Sequence, residues 1–374
     1  MSTNPRARAW VQVRGDALLE NYARIRGALD PAVRVLPMVK ADAYGLGASE
    51  VIARLDPLEP WGWGVATVGE GVTLRRAGVE RPVVVCSPVP PDEIEAAVLH
   101  HLQLSVSSLT ALHRVADTAR AAGRVASVHV DVDTGMGRSG FDWRDATHWL
   151  PEVSAGFDGV RWVGCHTHLH SADQDAGSVA EQWRRLREVL DRVAPVPDDL
   201  MVHVLNSAGV FRSPSYATAL VRPGIFLYGG HVGKGQPEPE PVVSVHARVV
   251  HTRDVPAGTT AGYGATYTAR RPERWATLSI GYGDGLPRSL GNRGHAIVAG
   301  MRVPMIGRIS MDVTVVDITG LSTVEDGAVA TLLGRQGDER ITLDEFAERA
   351  GTISYEILTG LTCRLPRVWS DRDH

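Results

Sequence analysis

Lysine occurs at only two positions in this 374-residue chain, Lys40 and Lys234, so nearly all of its basic residues are arginine. The surface bias fits a GC-rich coding sequence, but it also narrows any chemistry that needs an amine to two residues. Lys234 sits in GGHVGKGQPEPEP, a linker by composition. Lys40 closes the apolar run VRVLPMVK and opens ADAYGLG, at the end of a predicted strand. Other reactive or phosphate-binding types follow later apolar runs in the same way: Arg138, His168, Asn206-Ser207, and Arg222 with Gly224. An amine on one side and a Ser/Gly cradle on the other point to pyridoxal phosphate bound as a Schiff base.

Three motifs compete for attention. Gly135, Gly137 and Gly140 spell G-x-G-x-x-G, but Phe141-Asp142-Trp143 follows where a dinucleotide fingerprint needs a helix. His166, His168 and His170 would share one face if the strand ran on through Cys165–His170, a spacing that could hold zinc. No second cluster supplies partners, so structural or active-site histidines are expected and no metal. Gly281-Tyr-Gly-Asp-Gly could cradle a phosphate, yet reads first as a turn between strands.

The elements that must position these residues come in two blocks. Apolar runs begin near Val33, Trp61, Val83, Leu102, Val125, Val160, Met201 and Ala219, with helical patterns at Ala17–Leu29, Glu93–His101, Leu109–Ala122 and Val179–Val193. Asp16 is the expected N-cap of the first helix. Eight strands alternating with helices predict an α/β fold, a (β/α)8 barrel over residues 10–235, with a doubly wound sheet as the alternative. Beyond the linker, alternating patterns such as VVSVHARVVHTRDV predict a mostly β domain over 236–374, with residues 1–9 as a further candidate part. One helix is expected near Leu343–Ala350. Turns are expected at Pro256-Ala257-Gly258 and Gly283-Asp284-Gly285.

Composition limits the partners. With 39 basic and 43 acidic residues the net charge is −4, which argues against nucleic acid. At 44% hydrophobic the chain can fill a sizeable core. No apolar run approaches a membrane span, no signal segment is evident, and Cys86, Cys165 and Cys363 show no paired spacing. A cytoplasmic protein without a disulfide framework is the expectation.

VKADAYGLG, DVDTGMGRSG, HTHLHSAD, HVLNSAG, VRPGIFLYG, AGYGATYTA, IGYGDG, GRISMDVTVVD and TISYEI resemble, in this order, the motifs of alanine racemases. They span Lys40 to Tyr355, across both expected domains. The resemblance implies pyridoxal 5'-phosphate as cofactor, a small amino acid as substrate, and a homodimer with shared active sites. It implies that Lys40 carries the cofactor and serves as one base. The second base would be Tyr263, supplied from the partner subunit. Tyr44, Ser207, Gly224, Ile225 and Tyr355 would meet the phosphate, with Asn206 beside them, and Arg222 would face the pyridine nitrogen. Arg138 would approach the phenolic oxygen and the substrate carboxylate. The Met311 backbone would meet that carboxylate too, and Asp312 and Tyr282 would line the entrance. His168 would link the tyrosine to Arg222.

Physical chemistry makes these roles coherent. Inverting an α-carbon needs a base on one face and an acid on the other. A phenol with an ordinary pKa near 10 needs cationic help. An arginine does not give up its proton, so it leaves the pyridine nitrogen an acceptor, weakens the electron sink and suppresses transamination and decarboxylation. The chain departs from the family at Asp42, Leu169 and Ser310, where Asn, Phe and Cys are frequent. Asp131 stands where many members carry a carbamylated lysine that holds the arginine of the next turn. Asp131 is therefore expected to supply the anion that orients Arg138, with a water or anion bridging the gap left by its shorter side chain or with Arg138 shifted, against the alternative that it caps a turn. Related barrel decarboxylases, which place an acid at the pyridine nitrogen, and non-catalytic pyridoxal-phosphate carriers, which lack the second domain, are the rival readings; a racemase of broader range is another.

Overall fold

The computed structural model describes residues 6–193 and 199–371. Residues 1–5 and 372–374, which the expected domain limits include, lie outside the described residues. Eight short parallel strands form the first sheet: Arg34–Val35, Trp63–Val65, Val83–Val85, Gln103–Val106, Ala126–Asp133, Val160–His166, Met201–Asn206 and Leu220–Arg222. Each begins within a few residues of the run that predicted it. Leu220–Arg222 pairs with Arg34–Val35, and a parallel bridge between Met38 and Gly64 joins the first strand to the second. The Val39 N–H to Gly64 C=O bond, 2.8 Å, and the Gly64 N–H to Pro37 C=O bond, 2.9 Å, seal that seam. The sheet is thus a closed (β/α)8 barrel and not a doubly wound sheet.

Local chemistry explains these elements. Val83, Val84 and Val85 are each 0% exposed, as strands buried on both faces require. Helix Leu109–Ala121 starts where the Ser108 hydroxyl accepts the Ala111 N–H, and helix Ala176–Leu190 where the Asp175 carboxylate accepts two N–H groups. The first helix, Gly15–Gly27, starts before Asp16 instead of after it. Asp16 therefore lies in the first turn, bonding the Ala17 N–H and Arg14, and acts on the helix dipole, not as the N-cap. Helix Leu343–Ala350 has the expected limits, started by the Thr342 side chain.

The second sheet is mostly antiparallel and centres on Val243–Val255. Its least expected member is Ala9–Arg14, which pairs antiparallel with Val243–Val255 and parallel with Arg367–Ser370. The boundary expected at residue 10 therefore falls after Arg14, and the barrel is inserted into the β domain. The Pro/Gly-rich connection between them is tied down. Buried Asn21 donates to the Glu240 carbonyl at 2.9 Å and accepts the Glu240 N–H at 2.7 Å. Among the described residues no helix is long and apolar enough to cross a membrane.

Candidate active site

Lys40 stands five residues after the end of the first barrel strand and two after the Met38 bridge, at the rim where all eight strands present their C-terminal ends. The four residues after it are left-handed: Ala41, Asp42, Ala43 and Tyr44 have φ between 51° and 56°. An L-residue in that region costs roughly 1–2 kcal/mol, so the turn carries on the order of 4–8 kcal/mol that its surroundings must offset. The effect is to bury Tyr44 against Tyr228, ring centroids 4.7 Å apart, and beside Tyr355 at 6.0 Å. Burial holds the Lys40 ammonium below its ordinary pKa; Arg138 and Arg222 push the same way, while Cys86 and Glu70 oppose them.

A cavity gathers Lys40, Tyr44, Arg138, His168, Asn206, Ser207, Arg222, Gly224, Ile225 and Tyr355, from strand ends dispersed over the whole barrel. Tyr355 comes from helix Ser354–Gly360 of the β domain. The Ser207 hydroxyl accepts the Gly224 N–H at 2.8 Å and the Phe226 N–H at 3.4 Å, which leaves its own proton free to donate. A Cβ on Gly224 would lie 2.2 Å from the Tyr44 hydroxyl, so only glycine permits that approach. Hydroxyl donors converging on a bare backbone, with an amine and a buried arginine in one cavity, fit a phosphorylated aldehyde such as pyridoxal phosphate.

Arg222 is 5% exposed, and among the described residues no carboxylate bonds it. Its guanidinium donates to His203 Nδ1 and to the His203 and Thr167 carbonyls, each at 2.7 Å. A guanidinium only donates, so His203 Nδ1 must accept and its proton lies on Nε2. That N–H then donates to His129 Nδ1 at 2.9 Å, and His129 Nε2 donates to Gln103 Oε1 at 2.7 Å. A one-way chain thus runs from the site down the barrel interior. His166 stacks on His203, and burial, then Arg222, drives the pKa of both far down; burial lowers His129 to about 3. His168, lowered by burial to about 3, lines the cavity but is not among the partners of Arg222. The expected link from His168 to Arg222 is taken by His203.

The strand does not continue through His170, so the three histidines share no face. The strand ends at His166, His168 turns to the cavity, and His170 is exposed. Among the described residues no group of three or more His, Cys, Asp or Glu could hold a metal ion.

Asp131 is buried in the cavity wall, and Arg138 is not among its hydrogen-bond partners. Its Oδ2 accepts the Ser139 hydroxyl at 2.9 Å and the Ser107 hydroxyl at 3.2 Å, and Oδ1 lies 3.6 Å from His166 Nδ1. Arg138 is exposed and makes no ion pair with it, because a carboxylate on so short a side chain reaches the turn and not the guanidinium. Turn capping belongs to Asp133, whose carboxylate accepts the Gly135 and Gly137 N–H groups. Buried Gln182 ties this turn to the next: its amide donates to Thr134 Oγ1 and the His168 carbonyl and accepts the His170 N–H.

Tyr263, Tyr282, Met311 and Asp312 do not line this cavity. Tyr263 is 67% and Met311 52% exposed, on turns of the β domain. Three of the four form one unit. The Tyr282 N–H donates to the Ser310 carbonyl, the Gly283 N–H to the Met311 carbonyl, and Arg364 bonds Asp312 at 2.7 Å.

Comparison with known proteins bears on this arrangement. The family models for the N-terminal and C-terminal domains of alanine racemase match residues 13–232 and 242–369. The chain belongs to the alanine racemase family. An alanine racemase of Syntrophobacter fumaroxidans is 37% identical over 94% of each chain. The alanine racemase structure from Bacillus anthracis with bound L-Ala-P superposes with a TM-score of 0.90 at 32% identity, over 98% of this chain and 96% of that one. The Bartonella henselae alanine racemase, with covalently bound pyridoxal phosphate, gives a TM-score of 0.88 at 28% identity, over 97% and 100%. With the family come its isomerase activity and its cofactor, pyridoxal phosphate.

Reading residue types alone missed His129 and His203, and took His166 only as one of an alternating trio. Their signal is present: VHVDVD, GCHTH and VHVLN each place one histidine inside an apolar strand. Cys86 was noted only for its lack of a disulfide partner, and it lines the cavity as well.

Proposed function

We propose that the chain interconverts L- and D-alanine by a two-base mechanism, with Lys40 on one face of the substrate and the partner subunit's Tyr263 on the other. The observation that carries this reading is Lys40: one of only two lysines, set in a cavity whose other walls hold a hydroxyl cradle and an arginine bonded to a histidine and two carbonyls. When bound, pyridoxal phosphate makes the Cα–H of a linked amino acid acidic by accepting the electron pair. Tyr44, Ser207, Gly224, Ile225 and Tyr355 would hold its phosphate, with Asn206 bracing the cradle through its bond from the Gly209 N–H.

The chain's own residues do the rest. Burial favours the neutral form of the Lys40 amine, which can take a proton at Cα or return one. Arg138 and the Met311 N–H meet the substrate carboxylate, and Tyr282 and Asp312 narrow the entrance. Arg222 faces the pyridine nitrogen as a donor that His203 and two carbonyls keep cationic, which restricts the reaction to proton transfer. This disfavours the decarboxylase reading, and the second domain disfavours a non-catalytic carrier. The exposure of Tyr263, Met311, Tyr282 and Tyr355 supports a homodimer that buries them. The enzyme would work in the cytoplasm, supplying D-alanine for peptidoglycan.

Mixing inactive Lys40→Ala and Tyr263→Phe subunits tests the shared site. A heterodimer keeps one site with both bases, so part of the activity returns. No recovery despite proven subunit exchange refutes sharing. A racemisation panel of small amino acids, run beside it, tests alanine as the preferred substrate.

A further inference from the structure

The turn that carries Lys40 is held at both ends by charged side chains to which the reaction as described gives no part. At its start, Glu70 Oε1 accepts the Ala41 N–H at 2.6 Å. Glu70 Oε2 accepts the Ala66 N–H at 2.8 Å and the Thr67 N–H at 3.2 Å. Glu70 is also the third residue of helix Val68–Arg76, and its own N–H donates to the Thr67 hydroxyl at 3.2 Å. A capping box needs one carboxylate oxygen, for the cap residue's N–H. Here the second oxygen crosses to the residue after Lys40. At the far end of the turn, Arg367 Nε donates to the Gly45 carbonyl at 2.8 Å, and its other nitrogens bond the Leu361, Thr362 and Leu365 carbonyls. Gly45 has φ +82°, and a Cβ there would lie 2.7 Å from the Leu358 carbonyl, so the turn is pressed against helix Ser354–Gly360.

Of Ala-Asp-Ala-Tyr only Asp42 visits the left-handed region at all readily, and then as a single residue, so a run of four is imposed by its surroundings. We infer that Glu70 is a positioning residue for Lys40, its carboxylate clamping the left-handed turn so that the amine stands at the cavity wall. The inference rests on Lys40 being a base of the proposed reaction and deepens that reading. A conserved outline of the barrel would survive loss of the clamp; the placement of one nitrogen would not. Such misplacement by about 1 Å is enough to cost a hundredfold in rate.

The two-lysine composition supplies a clean readout. The full-length chain, freed of cofactor, is pulsed with acetic anhydride, and peptide mapping gives Lys40 labelling relative to Lys234. Cys86, Arg138, Arg222 and Glu70 are the charged or titratable groups that bear on Lys40. Glu70→Gln removes the anionic one and leaves an NH2 facing a backbone N–H. The ratio rises at least threefold, because the amine is both less often protonated and less confined. In the holoenzyme kcat falls at least tenfold with KM within twofold. Adding Ala41→Gly restores most of the rate, because glycine adopts φ near +50° without the clamp. Thr67→Val, which removes the helix cap and leaves Glu70 on Ala41, lowers Tm without moving the ratio. If Glu70→Gln fails to fold, Glu70→Asp, too short to reach Ala41, carries the same test with the same expected rise. A ratio within twofold of the parent, or a lost rate that Ala41→Gly does not restore, overturns the inference. Cofactor trapped by borohydride on a residue other than Lys40 would overturn the Lys40 reading instead, while the labelling ratio would still report on the clamp.

Discussion

Replacing Asp131 separates what this carboxylate does for the site from what it does for the fold. Burial disfavours its charged form and raises its pKa; the Ser139 and Ser107 hydroxyls, then Arg222 and Arg138, work in the opposite direction. An acid whose folded pKa lies above its unfolded value binds its proton more tightly when folded. The stability it costs grows as pH rises from the unfolded value, ordinarily near 3.9, through the folded one, and then stays constant. At pH 8 the full cost is present. Asp131→Asn keeps an oxygen for both serines and removes the charge, so Tm at pH 8 equals or exceeds that of the parent. Asp131→Ala removes both hydrogen bonds and releases Ser139, the neighbour of Arg138, from its anchor. Freed to shift by about 1 Å, the Arg138 turn loses roughly 10- to 100-fold in kcat/KM, equivalent to about 1.4–2.7 kcal/mol of transition-state binding. The assay is alanine racemisation at substrate below KM, with scanning calorimetry on the same samples. Activity is also independent of added bicarbonate, since Asp131 is an anion without carbamylation. Full kcat/KM in Asp131→Ala, or a Tm for Asp131→Asn well below the parent, refutes the reasoning.

Acid should unfold the barrel from within. His129 and His168 are lowered to about 3 by burial, and burial holds His166 and His203 well below the usual imidazole range too. The unfolded chain therefore binds more protons below about pH 6.5, and stability falls by up to about 1.4 kcal/mol per pH unit for each histidine, down through pH 4. His129→Gln makes a Tm-against-pH curve shallower between pH 6.5 and 4; an unchanged slope contradicts the assignment. Arg222→Glu sets a carboxyl against the Thr167 and His203 carbonyls and an acid at the pyridine nitrogen. Racemisation falls and pyruvate formed per turnover rises; an unchanged ratio of the two products argues against the arginine as the restraint on side chemistry.

Much of the fold was legible because valine-rich strands and amphipathic helices report their burial locally. Closure was not, since the seam is one short bridge, Met38–Gly64, with two backbone hydrogen bonds that no periodicity reports. The placement of Ala9–Arg14 was hidden for a different reason: its partners lie more than two hundred residues away, and no local pattern names them. At the site, Lys40, Ser207, Arg222 and Gly224 stood out through residue type at strand ends. The left-handed turn did not, because Ala-Asp-Ala-Tyr has no preference for four such residues in a row and long-range contacts impose it. Asp131 was found but its partner was not, as side-chain reach decides between Ser139 and Arg138. His203 was passed over for His168 because it lies inside its strand and not after its end, and only the barrel interior shows which faces Arg222.

The pairing of Ala9–Arg14 with Arg367–Ser370 has a consequence for synthesis. As the chain is made, its first strand emerges long before either neighbour in the β domain exists. The barrel can complete its own sheet while that strand waits, an unpaired edge held a few residues from the first helix. Only when Arg367–Ser370 appears can the β domain close over it, and the same segment brings Arg367 to the turn beside Lys40. The far end of the catalytic turn thereby waits for Arg367 to gain its clamp.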